Sequence, residues 1–168
     1  MNMIVSKVVI EDAEISIAHQ KCSDASLYKS KGLFIESTGS KNNTISCINY
    51  NDYLDIYLFW ESHSSAKSVE VLFVPETAIL FIGCGEISAR VCVKTNSIIG
   101  IERITLFWCF TRHKNYILEM DELQCFLYAL DGKKVDEVEV DPPYETEYLE
   151  NGIKFESSIF GTGWLHYN

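Results

Sequence analysis

From Tyr53 to Phe160 the chain is a succession of short apolar and β-branched runs cut by turn residues, a pattern that points to antiparallel sheets. Tyr53 to Trp60 alternates, placing Leu54, Ile56, Leu58 and Trp60 on one face. Val69 to Val74 and Thr77 to Ile82 are split by Pro75-Glu76, and Glu86 to Val93 follows a Gly83-Cys84-Gly85 turn. Ile98 to Phe110 reads as one long strand-forming run in which Gly100 is predicted to mark a bend or bulge. Tyr116 to Glu119, Leu123 to Leu130, Val135 to Val140 and Ile153 to Phe160 continue the series, with Asp131-Gly132, Pro142-Pro143 and Asn151-Gly152 as turns. Ile4 to Ile10, Ala13 to Ala18 and Leu33 to Glu36 add strands at the N-terminal end.

Helical signals are sparse. Ser23-Asp24 can cap a short helix ending near Gly32. Glu119 to Leu130 contains good helix formers, but Leu123 to Leu130 is apolar on both faces and opens a strand–Asp-Gly–strand pattern, which favours a strand. Ser37 to Ser46, with Gly39 and Asn42-Asn43, is expected to be a polar loop. Ile79-Leu80, Gly83 and Glu86 are echoed by Ile117-Leu118, Asp121 and Glu122, an offset near the size of a four-stranded propeller blade. A closed propeller needs about four or more blades, and the first 50 residues hold no third copy, so recurring hairpins in a sandwich explain the echo equally well. The expected fold is therefore mainly β: an antiparallel β-sandwich or two packed sheets built from short strands and hairpins, with at most one or two short helices. Residues 1–168 are expected to form a single domain.

A hydrophobic fraction of 47% fits a packed core and argues against disorder. No run approaches the ~20 apolar residues of a membrane-spanning helix. Met1 to Ile10 lacks the basic and apolar regions of a secretory signal, which predicts a cytoplasmic protein with free thiols. None of the six cysteines forms a C-x-x-C pair, so no zinc site is expected. Cys92 and Cys109 fall in apolar strands, where a thiol serves as a small hydrophobe.

Charge is distributed unevenly. Residues 116 to 157 hold 12 carboxylates against Lys133, Lys134 and Lys154, so they carry −9 of the chain's net −10. Such a field attracts a basic partner and repels nucleic acid and anionic membrane. Within it, Val135 to Asp141 has a period of two: Val138 and Val140 point one way, and Glu137, Glu139 and Asp141 the other. A row of like charges repels itself. It suits either a docking surface for a cationic groove or an edge strand kept charged against aggregation. The following Tyr144-Glu145-Thr146-Glu147-Tyr148 interleaves acids with aromatics, which is good interface material.

Catalytic signatures are missing. His19, His63, His113 and His166 stand in no H-x-x-x-H spacing, and no G-x-S-x-G, P-loop or EF-hand pattern occurs. Gly83-Cys84-Gly85 lacks the third glycine and the helix of a nucleotide fingerprint. The chain is expected to be no enzyme and to need no cofactor or metal.

A small, acidic, β-rich cytoplasmic chain without catalytic motifs resembles the immunity proteins of bacterial contact-dependent growth inhibition and related toxin systems, a likeness of overall character. Separately, Ile117-Leu118, Glu122-Leu123, Asp131-Gly132-Lys133-Lys134 and Pro142-Pro143-Tyr144 are similar to a pattern in an uncharacterised group of bacterial β proteins. Here the turn is shorter, and Val135-Asp136 replaces an expected Trp. The first resemblance implies an inhibitor that covers the active site of a basic toxin domain, most simply a nuclease. Asp136, Glu137, Glu139, Asp141, Glu145 and Glu147 would supply the charge, with Tyr144 and Tyr148 as anchors. The alternatives are a sugar- or small-ligand-binding β-sandwich using Trp60, Trp108 or Trp164 as a platform, and a non-catalytic component of a larger complex.

Overall fold

The computed structural model describes residues 4–10, 13–37, 42–62 and 69–167. Gly39 of the expected polar loop and His63 lie outside the described residues. The described chain is almost entirely β. Its only helical element is one short 3-10 turn, Ser26–Tyr28, where the sequence suggested a longer helix. No helix among the described residues is long and apolar enough to cross a membrane.

The first sheet joins β1 (Ile4–Ile10), β2 (Ala13–Lys21), β3 (Leu33–Glu36), β4 (Thr44–Tyr50) and β5 (Leu54–Trp60) in the order β1-β2-β4-β5-β3. Strand β3 lies parallel to β5, and the other pairs are antiparallel. The second sheet is a meander of β6 (Glu70–Val74), β7 (Ile79–Cys84), β8 (Ile87–Cys92) and β9 (Ser97–Arg103). The third is a meander of β10 (Phe107–His113), β11 (Tyr116–Asp121), β12 (Gln124–Ala129) and β13 (Lys134–Glu139). The fourth contains β14 (Tyr144–Tyr148), β15 (Gly152–Ser157) and β16 (Gly161–His166). The Ile79-Leu80 and Ile117-Leu118 echo thus falls on the second strand of two successive four-stranded meanders.

The mainly-β class of packed sheets holds, with four sheets packed in chain order. One core joins the first and second sheets, with Leu54, Ile56, Leu58 and Trp60 facing Leu80, Ile82 and Val91. A second core joins the second and third, with Ile79 and Phe81 against Phe107, Phe110, Ile117 and Tyr128. A third joins the third and fourth through Leu118, Cys125, Leu127, Ile153, Phe155 and Leu165. Residues 79–84 and 125–128 alternate between two such cores, which is why both stretches are continuously apolar. Each large side chain removed from water there contributes about 1.5–3 kcal/mol.

Bulges set which layer a side chain enters. The long run Ile98 to Phe110 divides at Ile104, and Gly100 pairs with Arg90 where Ile99 is the extra residue of a bulge. A Cβ on Gly100 would strike the Arg90 guanidinium, so glycine is what lets that charge lie flat on the sheet. Trp108 is the extra residue in β10: Phe107 and Phe110 both reach the second core, and the Trp108 ring stacks on Tyr144 of the fourth sheet. A third bulge at Val135 keeps Val135 and Val138 on one face of β13, against the fourth sheet.

Three further stretches differ from the sequence expectation, besides the division of Ile98 to Phe110 into β9 and β10. Thr44–Tyr50 forms a central strand where a loop was expected to extend to Ser46. Tyr144–Tyr148 is itself a strand. Ile153 to Phe160 is not one strand, since β15 stops at Ser157 and the chain turns through Ser158, Ile159 and Phe160 into β16. Gly161, at φ 71°, supplies the left-handed residue that closes such a three-residue hairpin loop.

Candidate protein-docking site

The acidic quarter divides into carboxylates spent inside the fold and carboxylates left on its surface. Glu119 is fully buried between the second and third sheets and accepts a hydrogen bond from Ser88 Oγ at 2.7 Å. Burial pushes its carboxyl up to about 7, against the opposing pull of Ser88 and the Arg90 charge. Arg90, also buried, bonds Glu102 at 3.1 Å and lies 4.4 Å over the Tyr128 ring. Asp121 is buried too, and its carboxylate takes the backbone N–H groups of Leu123 and Gln124 at the β11–β12 turn.

The predicted row on β13 exists only in part. Glu137 and Glu139 share one face and are exposed, opposite Val138. Glu137 is joined to Lys134 at 2.8 Å. Asp136 points to the other face, where it accepts the His166 backbone N–H at 2.8 Å and faces His166 Nδ1 at 3.2 Å. Asp141 does not extend the row, because β13 ends at Glu139 and the carboxylate turns inward, 5% exposed. It accepts the N–H groups of Ile159 at 2.9 Å and Phe160 at 3.1 Å. Burial alone would raise its carboxyl, but these amides outweigh that and hold it below the ordinary value.

That inward turn builds the most distinctive surface of the chain. Ile159 is 80% exposed and Phe160 50% exposed, side by side at the tip of the β15–β16 hairpin. Their backbone is fixed from below by Asp141, and Ser157 Oγ donates to the Gly161 carbonyl at 3.2 Å. Pro142 and Pro143 are exposed beside the tip. A shallow groove next to it is lined by Pro143, Tyr144, Glu145, Glu156, Ser157 and Ser158. Of the eight residues expected at a partner site, this region gathers Asp141 as a buried support, with Tyr144 and Glu145 in the groove.

Glu145 and Glu147 are exposed on one face of β14. Glu147 pairs across the sheet with Lys154, whereas Glu145 stands opposite Glu156 and bonds no cation among the described residues. Tyr144 is half-buried, with its ring between Trp108 and Phe155, so it belongs to the core more than to a free surface. Tyr148 is 43% exposed and rests on His113, with ring centres 4.7 Å apart. The sugar-platform residues are less open. Trp60 is buried with its indole donating to Ser46, and Trp108 and Trp164 are half-buried. Among the described residues no cluster of three or more His, Cys, Asp or Glu side chains stands in metal-binding reach.

Sequence reasoning missed Ile159 and Phe160 by placing them inside a strand. The signal was present: Gly161 three residues after Ser158 permits a three-residue hairpin loop, and such a loop puts its side chains in solvent.

No protein-family model matches the chain, and no curated protein matches it. Among solved structures, Kluyveromyces lactis Hsv2 is similar at a TM-score of 0.30 and 11% identity, over 60% of this chain and 38% of that chain. A likeness that distant carries no argument about fold or function.

Proposed function

We propose that the chain is a non-catalytic immunity protein that binds a basic bacterial toxin domain and covers its active site. The observation that carries this reading is the exposed apolar tip Ile159-Phe160, its backbone held by Asp141, directly after the acidic stretch 116–157. An exposed pair of large apolar side chains on a fixed backbone loses little entropy on docking and supplies a desolvated centre. The exposed acids Glu145 and Glu147 on β14 and Glu139 on β13, with Glu145 in the groove beside the tip, speed encounter with a cationic surface and reject anionic ones. Asp136, Glu137 and Asp141 serve the fold first, each holding a partner within the chain.

Co-expression with a basic toxin domain encoded directly upstream of this reading frame tests the proposal. Restored growth is expected. The purified pair should associate faster at low salt, and Glu145→Lys with Glu147→Lys should slow association and flatten its salt dependence. Growth arrest that persists, with no complex by size-exclusion chromatography, overturns the reading.

A further inference from the structure

Among the described residues, strand β14 is the outer strand of the fourth sheet and pairs only with β15. Leu149 N–H donates to the Gly152 carbonyl, and these two residues continue the β14–β15 register. Hydrogen-bonded and non-bonded pairs alternate along an antiparallel ladder. Glu147 and Glu145 therefore spend their backbone groups on β15, and the N–H and C=O groups of Tyr144, Thr146 and Tyr148 face the open edge. The side chains alternate as well. Glu145 and Glu147 occupy the outer face, while Tyr144 and Tyr148 lie on the face that meets Trp108 and His113.

We infer that β14 accepts an extended segment of the basic partner as an added strand, with lysine or arginine at every second position. This rests on the proposed binding of a basic protein and specifies how it binds. Main-chain bonds to Tyr144, Thr146 and Tyr148 would supply affinity that is blind to side chains. Selectivity comes from cross-strand pairing, since cations two residues apart on the added strand fall opposite Glu145 and Glu147, about 4.5–5.5 Å away between Cβ atoms. The intervening residues of the added strand face the Tyr144–Tyr148 side, so apolar residues suit them. Edge strands usually carry charges or prolines that discourage such pairing. The charges here are all negative, so they exclude a second acidic β14 and admit a cationic strand.

The test uses the full chain and two synthetic peptides of equal composition. One alternates valine and lysine, and the other carries the valines and lysines as separate blocks. The alternating peptide should bind at least about tenfold tighter and should protect the Thr146 and Tyr148 amides from hydrogen exchange. Thr146→Pro removes an outward N–H and leaves the ladder to β15 whole, as edge prolines do. It should weaken the alternating peptide at least about tenfold while circular dichroism stays unchanged. If Thr146→Pro disturbs the fold, amide protection in the wild-type chain decides. Equal affinity for both peptides, with no protection along β14, overturns the added-strand mode and leaves binding through the acidic surface standing. Absence of binding by either peptide, or sedimentation showing that β14 pairs with a second copy, also overturns it. Growth rescue in the co-expression assay is independent of both results and reports on the immunity reading alone.

Discussion

Strand β11 sends Ile117 and Glu119 toward the second sheet and Leu118 and Met120 toward the fourth. On the first side Glu119, Arg90, Ser88 and Tyr128 are sealed among Phe81, Phe107 and Phe126, with a carboxylate and a guanidinium deep in the fold. On the second side the core is apolar, and carboxylates stand at its margin as supports: Asp136 for the end of β16, Asp141 for the hairpin tip. Both regions use acids of the same sequence quarter. In the first an acid is a burden of burial, offset by a cation and a hydroxyl. In the second each acid accepts backbone N–H groups that would otherwise be unpaired, and so fixes a surface segment. The difference separates carboxylates that specify how sheets stack from those that shape what the molecule presents.

The largest expected effect breaks the first region. Arg90→Ala leaves the buried Glu119 without its nearby cation, leaves Glu102 only Lys134 at 3.8 Å, and takes the guanidinium off the Tyr128 ring. Removing one partner of a buried charge cluster costs about 3–5 kcal/mol. Urea unfolding should show that loss. A loss under about 1 kcal/mol would mean the cluster is hydrated and contributes little.

Next in size is a pH effect with opposite sign in the two regions. The Glu119 carboxyl rises from its ordinary 4.5 to about 7 on folding, because burial disfavours its charge. The native state then holds this proton more tightly than the unfolded chain. Stability from this group is full below pH 4.5 and is lost as the pH climbs through about 7. That shift corresponds to about 3 kcal/mol. Asp136 and Asp141 run the other way. For both, burial opposes ionisation but backbone amides outweigh it, so their carboxyls sit below 3.8, and their support is lost as the pH falls beneath that value. Thermal unfolding should therefore peak in mildly acidic solution. Glu119→Gln should remove most of the decline between pH 5 and 7, Asp121 (also raised, by burial) contributing the remainder, and leave the acid limb in place. A profile unchanged by that substitution would assign the decline to another group.

Most of what the comparison depends on was hidden in the sequence for a physical reason. Strands β5 to β8, β11 and β12 were legible because apolar runs between turn residues leave few other solutions, and Gly100 announced its bulge, whereas β9 and β10 read as one run. Strands β14 and β16 were not, since Tyr-Glu-Thr-Glu-Tyr and Gly-Thr-Gly-Trp lack the apolar density that marks a strand covered on both faces. Counting charge located the acidic quarter but could not separate Glu119, Asp121 and Asp141, which are buried, from Glu139 and Glu145, which are exposed. Period-two reasoning held for Glu137 and Glu139 and failed at Asp141, because it assumes the strand continues. The carboxylate instead follows the chain round to accept the amides of Ile159 and Phe160.

The smallest expected effect on stability carries the sharpest functional contrast. Ile159→Ser with Phe160→Ser changes two side chains that project from the tip into solvent, while the bonds to Asp141 use only backbone N–H groups. Stability should therefore fall by no more than about 1 kcal/mol, since Ile159 is almost free and Phe160 buries only half its surface. Loss of a central apolar anchor costs a docking interface about 2 kcal/mol or more. The double variant should then fail to restore growth beside a toxin domain that the wild-type chain neutralises. Asp141→Ala makes the complementary change: the tip keeps its side chains and loses its support, so those side chains must be ordered on binding and affinity falls for an entropic reason. A slower association for Asp141→Ala, against a faster dissociation for the serine pair, would show that the buried acid acts on the surface by holding its shape. Full rescue by both variants would remove the tip from the interface and return the choice of docking surface to the exposed acids of β13 and β14.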